Sequence, residues 1–233
     1  MTAVDAASLP ISREETLRYL RHRGGPLTEE MEALLKSCEE ELRAAARPRY
    51  CHRFFGLERR GKALALTGSG ALLPGRQIAA LLEGCDGCAL LGATLGGEVD
   101  RLIRRAQVEQ MARAVVLDAL GTAAIEALCD LAGEEIRRAA AAEGKSCTWR
   151  FSPGYGDLPL VCQRDFLGLL DAPRQIGLTL TPQLMMVPEK SVSAIIGVGA
   201  PSGEGPRRGC EGCALQKNCV YRREGLHCAE KLG

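Results

Sequence analysis

CALLGATLGGEVDRLIRRAQVEQMARAVVLDALGTAAIEALCDLAGEEIRRAAAA, residues 88–142, is the stretch on which the fold class turns. CALLGAT (88–94) is a run of small apolar residues, the pattern of a strand buried on both faces. Beyond Gly96 and Gly97 the apolar period lengthens, and residues 99 to about 142 carry the longest helical signal in the chain. One break in it is expected near Gly121.

Working outward, residues 11–23 (ISREETLRYLRHR) read as a short helix with Ser12 as N-cap and Glu15 completing a capping box. Gly24, Gly25 and Pro26 stop it, and Thr28 opens a second helix through about Ala46, with Met31, Leu34, Leu35, Cys38 and Leu42 on one face. CHRFFGLE and ALALTG, within 50–67, read as strands, and residues 76–82 as a helix. Downstream, 146–162 is expected to be irregular because Pro153, Gly154, Gly156 and Pro159 break it. A short helix is expected over 165–170, then strands over 175–180 and 192–198. Strands and helices mix without a βαβ rhythm, so the class is α+β: one mixed domain with an antiparallel-rich sheet and long helices over 1–199. APSGEGPRRG (200–209) reads as a linker by composition, and 210–233 as a short Cys-rich tail.

With 46% hydrophobic residues the chain can bury a sizeable core. Thirty Lys plus Arg against 29 Asp plus Glu give a net charge of +1, so there is no basic field of the kind that drives phosphate binding, and no nucleic-acid partner is expected. Aromatics at 4% leave few rings for stacking bases or sugars. No apolar run approaches the ~18 residues of a membrane span. The N-terminus MTAVDAASLPISREE has no basic n-region or apolar h-region, so a cytoplasmic protein is expected. In reducing cytoplasm, 11 cysteines point to metal or redox chemistry before disulfides.

The sharpest local spacing is Cys210-x2-Cys213-x5-Cys219, then Cys228. A C-x2-C turn delivers two thiolates from one knuckle, so the four cysteines suit a Zn ion or an iron–sulfur cluster, and a metal would supply folding energy to a tail with few apolar residues. Against this stands a disordered or partly oxidised tail. Cys85-x2-Cys88 is a second such pair, but Cys88 opens an apolar strand and burial is its better reading. LTGSGALLPG (66–75) has the outline of a glycine-rich nucleotide loop; its third glycine is misplaced and Pro74 interrupts it, so a plain strand-to-helix turn is preferred. Three histidines leave little room for a His-based triad, and no catalytic residue is assigned. WRFSPGYGDLPL (149–160) remains. Its Pro153-Gly154 and Gly156 expose backbone that a ligand can approach closely. Arg150 offers a fork matched to a carboxylate, and Tyr155 a flat face with a hydroxyl. The bland alternative is a structural turn.

RFSPGYGDLPL, followed by LLDAPRQIGLTLTPQLMMVPEKSVSAIIGVG, resembles the activation domain of cobalamin-dependent (vitamin B12-dependent) methionine synthase. The matching positions are Arg150, Pro153, Gly154 and Tyr155; Ile176, Gly177, Leu180 and Thr181; Met186 and Pro188; and Ser191 to Ser193. LLGATLGGEVDRLIRR and AAIEAL are similar to the same family, so the likeness spans about residues 12–199 and is strongest over 150–196.

The resemblance implies binding of S-adenosylmethionine and presentation of its methyl group to cob(I)alamin, formed by one-electron reduction of inactive cob(II)alamin. It implies that Arg150 holds the ligand carboxylate, that Ser152, Gly154 and Tyr155 line the adenosine and corrin-facing side, and that Glu126 is the acidic partner of the ammonium or sulfonium end. A ligand with one carboxylate and two positive centres is complementary to an Arg and a Glu on opposite sides of it. The lower-axial-ligand motif Asp-x-His-x-x-Gly is absent, as are folate and homocysteine modules, so the expectation is a free-standing subunit of a methyltransferase system. It would act in trans on a corrinoid protein or on a cobalamin-dependent methionine synthase lacking its own activation domain, with a flavodoxin or ferredoxin as reductant. Two other readings stay open. One is an iron–sulfur redox protein of corrinoid metabolism; the other is a non-enzymatic ligand-binding module with a structural Zn tail.

Overall fold

The apolar strand at the centre of the sequence is longer than its apolar core, and its neighbours on both sides are antiparallel. The computed structural model describes residues 1–22, 24–61 and 63–200. The linker expected at 200–209, apart from its first residue, and the cysteines at 210, 213, 219 and 228 lie outside them.

The chain opens with β1 (Thr2–Ala3), α1 (Arg13–Tyr19) and α2 (Glu29–Ala45), then β2 (Arg49–Arg60), β3 (Ala63–Leu66), β4 (Leu72–Leu73) and α3 (Arg76–Leu81). Next come β5 (Cys85–Thr94), α4 (Gly97–Glu109), α5 (Met111–Ala142) and β6 (Ser146–Phe151). The last part holds α6 (Cys162–Leu169), α7 (Ala172–Ile176), β7 (Thr179–Leu180), β8 (Met186–Val187) and β9 (Ser191–Gly199). The main sheet has the order β4-β3-β2-β5-β9-β6, with β1 added to β2, and its pairs are antiparallel; β7 and β8 form a separate pair. The fold is α+β, as the mixed pattern of the sequence indicates.

Alternation along β5 and β9 builds two cores, one on each face. Ala89, Leu91, Ala93 and Ile196 join Leu117, Leu120, Ala124, Leu128 and Ile136 of α5, together with α2 and α4. Cys88, Leu90 and Ile195 join Ile78, Leu81, Phe166, Leu170 and Ile176 of α3, α6 and α7. Each fully buried Leu or Ile here contributes about 1.5–3 kcal/mol, which makes the central strands the most firmly held.

The helical termini are capped from the sequence. Ser12 Oγ accepts the Glu15 N–H and Thr28 Oγ1 accepts the Met31 N–H, while the Glu15 carboxylate turns to Arg18 rather than back to the cap.

Four local expectations are corrected. The long helical segment breaks at Gln110, which is extended, and not at Gly121. A single helix over 99–142 would run about 66 Å, twice the roughly 33 Å of a ten-residue strand. Turning at Gln110 lets both pieces bury their apolar faces in one core. Gly121 lies buried inside unbroken α5, where a Cβ would come within 3.3 Å of Lys190 Cε. Residues 146–151 form edge strand β6 inside the segment expected to be irregular, and the strand expected over 175–180 is confined to β7 at 179–180, because α7 runs to Ile176. The glycine-rich turn at 66–75 is a β-hairpin: Leu66 N–H donates to Ala71 O (3.0 Å), with β4 intervening before α3.

One buried charge fixes the entry to β9. The Asp100 carboxylate accepts the N–H groups of Glu189 (2.7 Å) and Lys190 (3.4 Å). Ser191 Oγ lies 2.8 Å from both Thr94 Oγ1 and Pro188 O. Asp100→Ala leaves those donors unmet, so we expect a loss of about 2–3 kcal/mol and a Tm fall of roughly 4–12 °C in thermal denaturation.

Candidate functional site

Asp118, Thr122, Glu126 and Asp130 follow one another at four-residue spacing, so they form one polar ridge along α5. The sheet supplies a cation at each end of this ridge. Lys190, just before β9, places Nζ 2.8 Å from Asp118 Oδ1 and donates to Thr122 Oγ1 at 2.9 Å. Arg150, near the end of β6, donates through Nη2 to Glu126 Oε2 (2.9 Å) and to Asp130 Oδ1 (3.0 Å). Arg150 stands opposite Ile196 in the β6–β9 pairing, six residues along β9 from Lys190, a separation of about 20 Å. The helix therefore runs in the same direction as β9, and its two cation contacts are about two turns apart.

A local irregularity aims Arg150. The β6–β9 register slips between Cys147 and Arg150, and Thr148 Oγ1 accepts the Gly197 N–H (2.8 Å) in place of a backbone partner. Trp149 and Phe151 then pack into the core beneath the sheet, while Arg150 is turned to α5. The Arg150 side chain is 12% exposed, against 47% for Glu126 and 71% for Asp130. Separating this half-buried guanidinium from its acids without a replacement anion is costly.

Beyond Phe151 the chain folds into a compact loop. Tyr155 N–H donates to Ser152 O (3.1 Å), Gly154 N–H to Leu158 O (2.9 Å), and Leu158 N–H to Tyr155 O (3.1 Å). Pro153 and Leu158 are buried, whereas Gly154, Tyr155 and Gly156 face outward. The Asp157 carboxylate accepts the Arg76 N–H (2.6 Å) and the Gln77 N–H (3.1 Å), capping α3 in place of Gly75, whose position offers no side chain. Gly156 has φ +53° and the Gln77 side chain fills the space a Cβ would take, so glycine is favoured there. Leu160 lies against Gly154, and Gln163 Nε2 donates to Leu184 O (2.9 Å), tying the β7–β8 turn alongside. Tyr155, Leu160, Val161 and Met185 thus form an exposed apolar fringe next to the loop.

The structure brings Arg150, Glu126 and the Ser152–Tyr155 segment to one edge of the sheet. It differs from the sequence expectation in one respect: Arg150 and Glu126 are bonded to each other rather than set apart, because β6 lies directly along α5. Three participants went unread in the sequence. Asp130 belongs to the ridge whose i, i+4 spacing in an otherwise apolar helix is visible in the sequence; Lys190 and Asp157 have no such signal, because their partners are about 70 and 80 residues away. From α1, Tyr19 sits close enough to Glu126 to feel its charge; burial is the main cause of its raised pKa, and Arg18 stacks over its ring at 4.4 Å.

Two clefts lie elsewhere. One of about 380 Å³ sits between α1, α2 and α5, lined by Ile11, Arg13, Thr16, Glu32, Lys36 and Leu120, and its Arg13 and Glu32 are paired with each other. One of about 220 Å³ is lined by Phe54, Gly56, Asp86, Gly87 and Lys145. Neither contains a residue of the Arg150 cluster. Among the described residues no group of three or more His, Cys, Asp or Glu side chains converges as a metal site. Burial pushes the Cys85 thiol up to about 11 and the Cys88 thiol up to about 12, which disfavours the thiolates a metal needs. No helix of the described residues is long and apolar enough to cross a membrane.

A crystal structure described as the MetH reactivation domain bound to AdoHcy superposes on this chain with a TM-score of 0.66 at 16% sequence identity, covering 97% of this chain and 85% of that one. The chain therefore has the fold of that domain. No protein-family model and no curated protein matches the sequence.

Asp157→Ala removes the cap that joins the loop to α3. We expect a cost of about 1 kcal/mol and amide hydrogen exchange at Arg76 and Gln77 roughly fivefold faster.

Proposed function

We propose that this protein binds S-adenosylmethionine at the edge formed by β6, its following loop and α5, and serves reductive reactivation of a cobalamin-dependent methyltransferase, methionine synthase being the favoured one. The observation that carries the reading is Arg150: a guanidinium held between two acids at the root of a compact Pro-Gly-Tyr loop, in a fold shared with a domain crystallised with AdoHcy. Arg150 would take the ligand carboxylate, Glu126 a positive centre, and the segment from Ser152 through Gly154 with the Tyr155 ring the adenosine side.

The chemistry asked of this chain is placement. Cobalamin held by a corrinoid partner would supply the nucleophile in its Co(I) state; this chain would fix the methyl donor against it and exclude water. The exposed apolar fringe of Tyr155, Leu160, Val161 and Met185 is the surface suited to meet such a partner. This reading has the chain acting in trans, in the cytoplasm, with a flavodoxin or ferredoxin supplying the electron. The spacing of Cys210, Cys213, Cys219 and Cys228 supports a Zn or iron–sulfur site in the tail, and an iron–sulfur cluster there would make the chain itself a conduit for that electron.

The test is calorimetric titration of S-adenosylmethionine into the full chain and into Arg150→Ala. Loss of the carboxylate contact should cost about 2–3 kcal/mol, or roughly 30- to 150-fold in Kd. Equal affinity in a folded variant removes Arg150 from the site.

A further inference from the structure

The amino-acid end of S-adenosylmethionine carries a carboxylate and an ammonium one carbon apart, with a sulfonium beyond them. One Arg and one Glu meet two of those three charges. The structure supplies a third group, Asp130, one helical turn from Glu126 and bonded to the same Nη2 of Arg150. We infer that Asp130 is the recognition residue for the ligand's α-ammonium, and that the zwitterion binds by inserting into the Arg150–Asp130 pair. This rests on the ligand reading proposed above.

The geometry separates the roles of the two acids. β6 runs from Ser146, opposite Gly199, to Phe151, opposite Ile195, so the chain leaves the strand heading toward the start of β9. Along α5 that direction is toward Thr122 and Lys190, because Lys190 meets Asp118 and Thr122 while Arg150 meets Glu126 and Asp130. A ligand whose carboxylate sits on Arg150 and whose adenosine lies along Ser152–Tyr155 must extend past Glu126 and away from Asp130. The ammonium stays at the other end, with Asp130. Inserting the zwitterion replaces one ion pair by two: carboxylate to Arg150 and ammonium to Asp130, with no charge left unmatched. Asp130 is the more exposed of the two acids, at 71% against 47% for Glu126, so it can turn from Arg150 to the ligand without leaving a buried cavity. Before the ligand arrives, the same contact holds the guanidinium in place, which lowers the ordering cost of binding.

Asp130→Asn retains the shape and removes the charge, and three ligands resolve its role by calorimetry on the full chain. S-adenosylmethionine and S-adenosylhomocysteine both carry the zwitterion; 5′-methylthioadenosine carries the nucleoside and thioether without it. We expect Asp130→Asn to weaken the first two by the same factor, about ten- to hundredfold, and to leave 5′-methylthioadenosine at its wild-type affinity. Unchanged or tighter binding of the two zwitterionic ligands overturns the inference, since Asp130 would then only compete for Arg150. An equal loss for all three also overturns it, because that is the signature of a structural role. If wild-type protein binds none of the three, the ligand reading itself fails, an outcome distinct from either of the others.

Discussion

Packing the alanine-rich side of helix α5 against the sheet covers two cations at the seam, Arg150 and Lys190, and the polar ridge of the helix supplies their partners. Asp118, Thr122, Glu126 and Asp130 form the ridge; Lys190 and Arg150 meet it at points about two turns, roughly 12 Å, apart. Three nearby features accommodate those charges. Asp100 fixes the backbone that carries Lys190, Gly121 makes room for the lysine stem, and the register slip in β6 turns Arg150 toward the helix. The apolar core between α5 and the sheet holds the helix in place, and the ion pairs match its polar ridge to the cations at the seam.

The elements that sequence patterning identified are those whose signal is local. The buried strand at 88–94, the caps at Ser12 and Thr28, and the strand at 192–198 depend on runs of a few residues, and all are present. The elements it mistook depend on distant partners. β6 is an edge strand whose alternation is broken by a bulge and whose end is masked by Pro153 and Gly154, so only its pairing with β9 identifies it. The break at Gln110 carries no glycine or proline; it answers the length of the sheet rather than any feature of its own sequence. Gly121 sent the opposite signal, since glycine serves there for side-chain clearance inside an unbroken helix.

The candidate site shows the same division. Arg150 and the Pro153-Gly154-Tyr155 turn were legible because a guanidinium beside a bare, exposed backbone is a recognisable local arrangement. That Arg150 and Glu126 touch, with Asp130 as a second acid, was not legible, because it depends on β6 lying along α5. The consequence is chemical: the guanidinium is already ordered by carboxylates, so a ligand must exchange charge partners rather than fill an empty pocket. A zwitterion can do this at little cost, and a simple anion cannot.

The measurement that tests this account most directly is hydrogen–deuterium exchange across the full chain with and without saturating S-adenosylhomocysteine. The account predicts protection confined to the second half of α5 around residues 126–130 and to residues 150–156. Protection centred instead on the cleft lined by Ile11, Arg13, Glu32 and Lys36, with the Arg150 loop unchanged, would contradict it.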